Sequence, residues 1–231
     1  MVRPAPTRFA APSLLVLLLG LALTPPAEGS CPSSQEPVSL DEVVARVERD
    51  GVRYAFVGEQ HGIGPVKRFA VDLANALVDR GQDVGLYVEG FRTDCQPRDE
   101  ACASLSHAFN RAAFLALLDN SRAPVHPLDP PGDRDRAATM AALVAGGSEA
   151  IKVVLVGRSH VIFAGDPDAV HHVFGGAMPY PDPGDVAEAF PRDQTLTFTL
   201  LDHGDGDEPY RLRRDGCRGD YLVSTAPSRQ Y

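Results

Sequence analysis

Residues able to transfer protons follow an apolar segment early in the chain. In "YAFVGEQHGIG", residues 54–64, Glu59 and His61 come directly after a short apolar run and a glycine. Side chains two residues apart in an extended backbone point to the same side. A carboxylate beside an imidazole fixes its tautomer and raises its basicity. The spacing therefore predicts a histidine general base that is supported by a glutamate.

Three later apolar segments end in similar side chains. Glu89 ends "DVGLYVEG", Asp129 ends "APVHPLD", and Arg158 and His160 follow "IKVVLVG". Because the carboxyl ends of parallel strands meet at one edge of a sheet, we expect a shared functional crevice. Its candidate residues are Glu59, His61, Glu89, Asp129, Arg158 and His160. The alternative is structural: helix capping by the acids, backbone hydrogen bonds of the histidines, and an ion pair between Arg158 and Glu89.

The glycines around Glu59 suggest a second interpretation, a loop that binds phosphate. Gly58, Gly62 and Gly64 do not form G-x-G-x-x-G, and no Walker lysine follows them. Glu59 would repel a pyrophosphate, although Glu89 stands where a ribose-binding acid would be expected. The chain also lacks the G-x-S-x-G motif of serine hydrolases. These patterns favour the catalytic interpretation over dinucleotide binding.

A second candidate site lies in the later glycine- and proline-rich part of the chain. His171 and His172 are adjacent, and Tyr180 follows them. These residues could bind haem or a metal from a loop. The alternative is that both histidines are surface residues, because adjacent side chains in a strand point apart.

Strand and helix patterns alternate along most of the chain. Short apolar runs at residues 53–58, 83–90, 123–129 and 151–157 are separated by amphipathic segments. This alternation predicts βαβ units in a mainly parallel sheet with helices on both faces. Residues 39–42 form a capping box that should open the first helix. The tail predicts an antiparallel hairpin added to the sheet of a single α/β domain, residues 30–231.

The first 29 residues have the pattern of a secretory signal peptide. Arg3 and Arg8 precede the apolar run of residues 14–23, and small residues follow it. The run is shorter than the ~20 residues that span a bilayer. We expect cleavage after Gly29 and an exported protein, periplasmic or extracellular, with no transmembrane segment in the mature chain. A lipid anchor at Cys31 and an uncleaved anchor are the alternatives.

The charge of the chain excludes some classes of partner. The formal net charge is −9, and removing Arg3, Arg8 and Glu28 would make it −10, since two positive charges and one negative charge are lost. Nucleic-acid and anionic-membrane surfaces need basic patches. We therefore expect no nucleic-acid partner.

The chain has 4 cysteines, an even number, which in an exported protein indicates disulfides. We favour Cys95–Cys102, closing the loop "CQPRDEAC", and Cys31–Cys217, joining the two ends of the domain. The spacing is unlike that of thiolate zinc sites.

Three motifs together resemble a known superfamily. "VGEQHG", "LYVEGF" and "VVLVGRSHV" are similar to the erythromycin esterase/ChaN-like superfamily, which includes Tiki and TraB domains. The resemblance covers residues 53–91 and 151–167. Arg158 and Ser159 depart from it, because members commonly carry small or amide residues there. Length and signal peptide are closest to the ChaN-like branch.

The resemblance implies several chemistries for one α/β fold. Esterase-like members hydrolyse bonds without a required metal, Tiki-like members use a divalent metal for proteolysis, and ChaN-like members bind haem. By analogy, Glu59, His61, Glu89 and His160 would form the site. The cofactor stays open between none, haem and a divalent metal.

The function that we expect is hydrolysis of an ester or amide bond in a small-molecule or peptide substrate. His61 would act as the base, Glu59 and Glu89 would orient it, and Arg158 with His160 would stabilise the oxyanion. Haem or iron binding, of the ChaN-like kind, is the alternative.

Overall fold

The computed structural model describes residues 37–59, 64–94, 111–131, 135–161, 186–200, 210–214 and 220–225. The chain divides into two units, Met1–Ser30 and Cys31–Tyr231, and every described residue belongs to the second.

The α-helices of the described residues are α1 (Leu40–Arg49), α2 (Gly64–Asp79), α3 (Arg111–Asp119) and α4 (Arg136–Gly146). The predicted capping box at the start of α1 is confirmed. Ser39 Oγ accepts from the Glu42 amide at 3.2 Å, and the Glu42 carboxylate accepts from the Ser39 amide at 2.7 Å. Gly51 follows α1 with φ 66°, a left-handed conformation that glycine adopts without strain. None of the described helices is long and apolar enough to cross a membrane.

One eight-stranded sheet runs through the domain in the order β1-β7-β8-β6-β2-β5-β3-β4. The strands are β1 (Pro37–Val38), β2 (Tyr54–Glu59), β3 (Val84–Arg92), β4 (Val125–Asp129), β5 (Ile151–Gly157), β6 (Thr195–Leu200), β7 (Tyr210–Arg214) and β8 (Tyr221–Thr225). Strands β8, β6, β2, β5, β3 and β4 are parallel, and β7 is antiparallel to β8 and β1. The predicted mainly parallel sheet and its C-terminal hairpin are confirmed.

Strand β1 was not predicted from the sequence. It is only two residues long and pairs with β7 from the far end of the chain, Pro37 opposite Arg213. A strand this short has no periodicity to detect, and only its distant partner defines it.

Helices cover both faces of the sheet, as predicted. On one face α1, α2 and α3 pack on alternate strand residues such as Ala55, Val57 and Leu155. On the other, α4 packs on the intervening residues, such as Phe56 and Val156. This alternation follows from the pleat of β-strands. The face toward which a strand-end side chain points is therefore set by its register.

The carboxyl ends of the central strands meet at one edge, which we call the carboxyl edge. Glu59, the last residue of β2, pairs with Gly157, the last residue of β5. Beside them β3 is irregular: its register with β4 shifts between Val88 and Arg92, and Gly90 has φ 105°. A short 3-10 helix, Arg158–Val161, follows β5 and packs against β2, β5 and β6.

Candidate functional site

Glu59 forms a buried ion pair at the end of β2. Its side chain is only 1% exposed, and Oε2 lies 3.1 Å from Nζ of Lys67, which is 5% exposed. Glu59 follows Ala55 and Val57 on the α2 face of the sheet, and Lys67 is in the first turn of α2. Burying either charge alone is costly, and the two opposite charges offset this cost for each other.

An aromatic ring completes the surroundings of Lys67. Its Nζ lies 4.8 Å from the ring centroid of Phe114 in α3. The face of an aromatic ring attracts a cation, most strongly where water is excluded. The ammonium group is thus held between a carboxylate and a ring that belong to two different elements.

Glu89 and Asp129 form a second charged cluster, on the α4 face. Nη2 of Arg136, the first residue of α4, donates to Glu89 Oε1 at 2.6 Å and also to Asp129 Oδ1. The other Glu89 oxygen accepts from the Gly157 amide. The other Asp129 oxygen accepts from the Gly90 amide at 2.9 Å. The cluster joins the ends of β3, β4 and β5 to the start of α4.

Arg136 stays charged in this cluster. Burial by itself would lower the pKa of its guanidinium, but the carboxylates of Asp129 and Glu89 outweigh burial, and the pKa lies above its ordinary value. One nitrogen contacts both acids, whereas a guanidinium carries five N–H donors. The side chain is 38% exposed, so part of this fixed cation faces solvent at the carboxyl edge.

The structure brings Glu89 and Asp129 together but directs Glu59 elsewhere. The expectation that all the strand-end side chains point into one crevice is therefore wrong for this pair: Glu59 points to the α2 face and Glu89 to the α4 face. The pleat explains this, because Glu59 lies an even number of residues from Val57, whereas Glu89 shares its side with Tyr87. Gly157 lies between them, paired with Glu59 in the sheet and bonded to Glu89.

His160 lies in the 3-10 helix that packs over the end of β2, and it is half-buried. Val161 anchors this turn in the core of the α4 face. The backbone of Arg158 opens the same turn. The remaining predicted site residues lie outside the described residues; they are His61, His171, His172 and Tyr180.

Sequence reasoning missed Lys67 and Arg136. A pattern in the sequence could have found both. Each is a basic residue in the first turn of a helix, and each helix follows a strand with an acidic residue near its end. Each also lies four residues before a buried residue of the same helix, Val71 for Lys67 and Met140 for Arg136. Helix positions four apart share a face, so both bases had to point inward. A basic side chain that points inward from such a helix predicts an ion pair with the acidic residue of the preceding strand.

Among the residues that the structure describes, the donors at the carboxyl edge do not fit a divalent metal. Glu89 and Asp129 both bind Arg136, whose charge would repel a cation. Throughout the described ranges, no group of three or more His, Cys, Asp or Glu side chains is placed to hold a metal ion. We derive no catalytic step through a metal.

No family model matches the chain, and no curated protein matches it. Among solved structures, the chain is similar to ChaN of Campylobacter jejuni, described as binding haem cofacially. The TM-score is 0.48 at 10% identity, covering 83% of this chain and 93% of that one. It is also similar to the type III effector HopBA1, with a TM-score of 0.47 at 12% identity, covering 84% of this chain and 97% of the effector.

Proposed function

We propose that the protein hydrolyses an ester or amide bond at the carboxyl edge of its sheet. A histidine, His61 or His160, accepts a proton from water, and Glu59 raises its basicity. The water oxygen attacks the carbonyl carbon, and the protonated histidine then gives its proton to the leaving group. We place this activity outside the cytoplasm, because residues 1–29 have the signal-peptide pattern.

The observation that carries the proposal is the location of buried carboxylates. Among the described residues the buried acids are Glu59, Glu89, Asp129 and Glu149. Glu59 and Asp129 are the last residues of β2 and β4, and Glu89 lies three residues before the end of β3, so all three lie toward the carboxyl edge. Buried charge is expensive to fold, and ligand sites of open α/β sheets lie at this edge. The concentration of charge therefore supports a site for chemistry here.

The two clusters lie on opposite faces of the sheet at the carboxyl edge, and each would supply a different component of a site at that edge. Glu59, paired with Lys67, is a carboxylate at the end of the strand that leads to His61. Arg136, held by Glu89 and Asp129, is a fixed and partly exposed cation. Preorganised donors of this kind stabilise the negative charge that develops on a carbonyl oxygen. Arg158, and His160 where His61 is the base, are further candidates for the same role.

Substitutions at the edge test the proposal. With purified mature protein and a panel of p-nitrophenyl esters and peptide amides, we expect His61→Ala or His160→Gln to lower kcat by about 10²–10⁴-fold. Glu59→Gln should cost less, because it removes charge support but keeps a hydrogen-bonding shape. Melting temperatures measured on the same samples separate loss of chemistry from loss of folding.

Asp220→Asn is the matched control. Asp220 is also a largely buried acid, bonded to Arg192 at 3.0 Å and to the Thr197 amide at 2.9 Å, but it lies near the amino ends of β6 and β8. We expect it to lower the melting temperature and to leave turnover per folded molecule unchanged. Full activity in both histidine variants, or no hydrolysis of the panel by wild type, would contradict the proposal.

Haem binding is the alternative that the same preparation tests. The candidate ligands are His171, His172 and Tyr180. Titration with hemin, followed by absorbance, should show no stoichiometric Soret shift if the protein is a hydrolase only. A stoichiometric shift that His171→Ala and His172→Ala abolish, without hydrolysis of the panel, would replace the hydrolase proposal with haem binding.

A further inference from the structure

Lys67 occupies a position that is unfavourable for a cation. It is the fourth residue of α2, near the positive end of the helix dipole, and the whole residue is 4% exposed. Cations are favoured at the opposite end of a helix, and burial penalises the ammonium form. The carboxylate of Glu59 at 3.1 Å and the ring of Phe114 at 4.8 Å offset these costs.

Apolar side chains already dock α2 on the sheet. The helix buries Val66, Phe69, Leu73 and Leu77 completely against the sheet. Replacing a buried ion pair with apolar residues is often neutral or stabilising, so such a pair is weak evidence of a stabilising role. We therefore look for the role of Lys67 in its effect on its partner, Glu59.

We propose that Lys67 is a positioning residue that keeps Glu59 ionised and oriented at the carboxyl edge. The inference rests on the proposed function, in which Glu59 must be a carboxylate to support a histidine. An opposite charge within about 4–6 Å favours the charged form of a carboxyl group. Loss of Lys67 removes this opposite charge, whereas burial favours the protonated acid, which supports a general base poorly.

Other titratable groups share this edge in the part of the chain that the structure describes. They are Glu89 on β3, Asp129 on β4, Arg136 on α4 and His160 after β5. Glu89 and Asp129 are compensated by Arg136 on the opposite face. On the α2 face, Lys67 contacts Glu59 directly.

Carboxyl NMR of ¹³C-glutamate-labelled protein tests the inference without a substrate. The Glu59 signal is assigned by its loss in Glu59→Gln. In Lys67→Met we expect Glu59 to titrate about 1–3 pH units higher than in wild type. The acidic limb of the pH–rate profile should move in the same direction. Lys152→Met is the matched control, since Lys152 is also buried, 1% exposed, but lies at the amino end of β5.

The outcomes separate the two proposals. An unchanged Glu59 titration in Lys67→Met, or an equal change in Lys152→Met, overturns the role of Lys67. A shifted titration in a protein that hydrolyses none of the panel supports that role and rejects the hydrolase. If Lys67→Met does not fold, wild type still decides: a Glu59 that is protonated at pH 7 overturns the inference, and an ionised one supports it.

Discussion

The pKa of a single carboxyl group depends on the groups that surround it. At the opposite edge of the sheet, Glu149 accepts from Tyr87 Oη at 2.8 Å and contacts His126 Nε2 at 2.7 Å. Burial works to raise the pKa of Glu149. Hydrogen bonds from its own backbone, Tyr87 and His126 outweigh burial, so the pKa lies below its ordinary value of 4.5. Burial, together with Glu149, raises the pKa of Tyr87, which stays a donor.

The lowered pKa of Glu149 predicts a pH-dependent stability. The unfolded chain binds the proton more readily than the native state, so the stabilisation is complete above about pH 4.5 and is lost as pH falls through the native pKa. At pH 6, Glu149→Gln should therefore be less stable than wild type by about 1–3 kcal/mol. Urea unfolding at pH 6 and pH 3 checks this. A difference that stays constant between the two pH values would show that the charge of Glu149 contributes nothing.

At the scale of elements, the backbone of one turn packs closely against a strand side chain. The turn between α4 and β5 passes directly over Tyr87. A Cβ at Gly147 would overlap the Tyr87 hydroxyl oxygen and lie 2.8 Å from Glu149 Oε2. A Cβ at Gly146, the preceding residue, would have no heavy atom within 4 Å. Two adjacent glycines thus have opposite packing environments.

These environments give a matched pair of substitutions. Gly147→Ala should destabilise the protein by about 1–3 kcal/mol, because either Tyr87 or the turn must move. Gly146→Ala, in the last position of α4, should be neutral or stabilising by up to about 1 kcal/mol, because alanine favours helix. Thermal unfolding of both variants checks this. Equal melting temperatures would mean that the turn adapts freely to the extra methyl group.

At the scale of the whole molecule, the sheet joins the two ends of the domain. In the antiparallel pair of β1 and β7, Pro37 lies opposite Arg213. The chain toward Cys31 therefore leaves β1 at the same end of the pair where the chain toward Cys217 leaves β7. The four cysteines lie outside the described residues, so the Cys31–Cys217 bridge stays a prediction from the sequence.

Both bridges can be measured directly. Mass spectrometry of the unreduced mature protein should show four hydrogens fewer than the reduced form. Proteolytic fragments should contain Cys95 with Cys102 and Cys31 with Cys217. Each bridge should contribute ~2–4 kcal/mol, so reductant should lower the melting temperature markedly. Four free thiols would overturn the disulfide prediction and weaken the prediction of export.

The sequence alone determined the order of the longer elements and which acidic residues lie near the strand ends. Strand β5 was predicted with its observed bounds, Ile151–Gly157, because its apolar run and glycine stop are local signals. Strand β3 was predicted to end at residue 90 but continues to Arg92. Its extension through Gly90 depends on pairing with β4 and on the carboxylate of Asp129, which local patterns do not contain.

Only the tertiary structure decided how the strand-end acids are used. The parallel arrangement placed Glu59 and Glu89 at one edge, as expected, but their faces depend on register and pleat, which are properties of paired strands. Their partners, Lys67 and Arg136, come from helices that reach the edge only when packed on opposite faces. Residue types and their spacing along the chain identify the candidate catalytic residues. Packing across the sheet determines which charges meet.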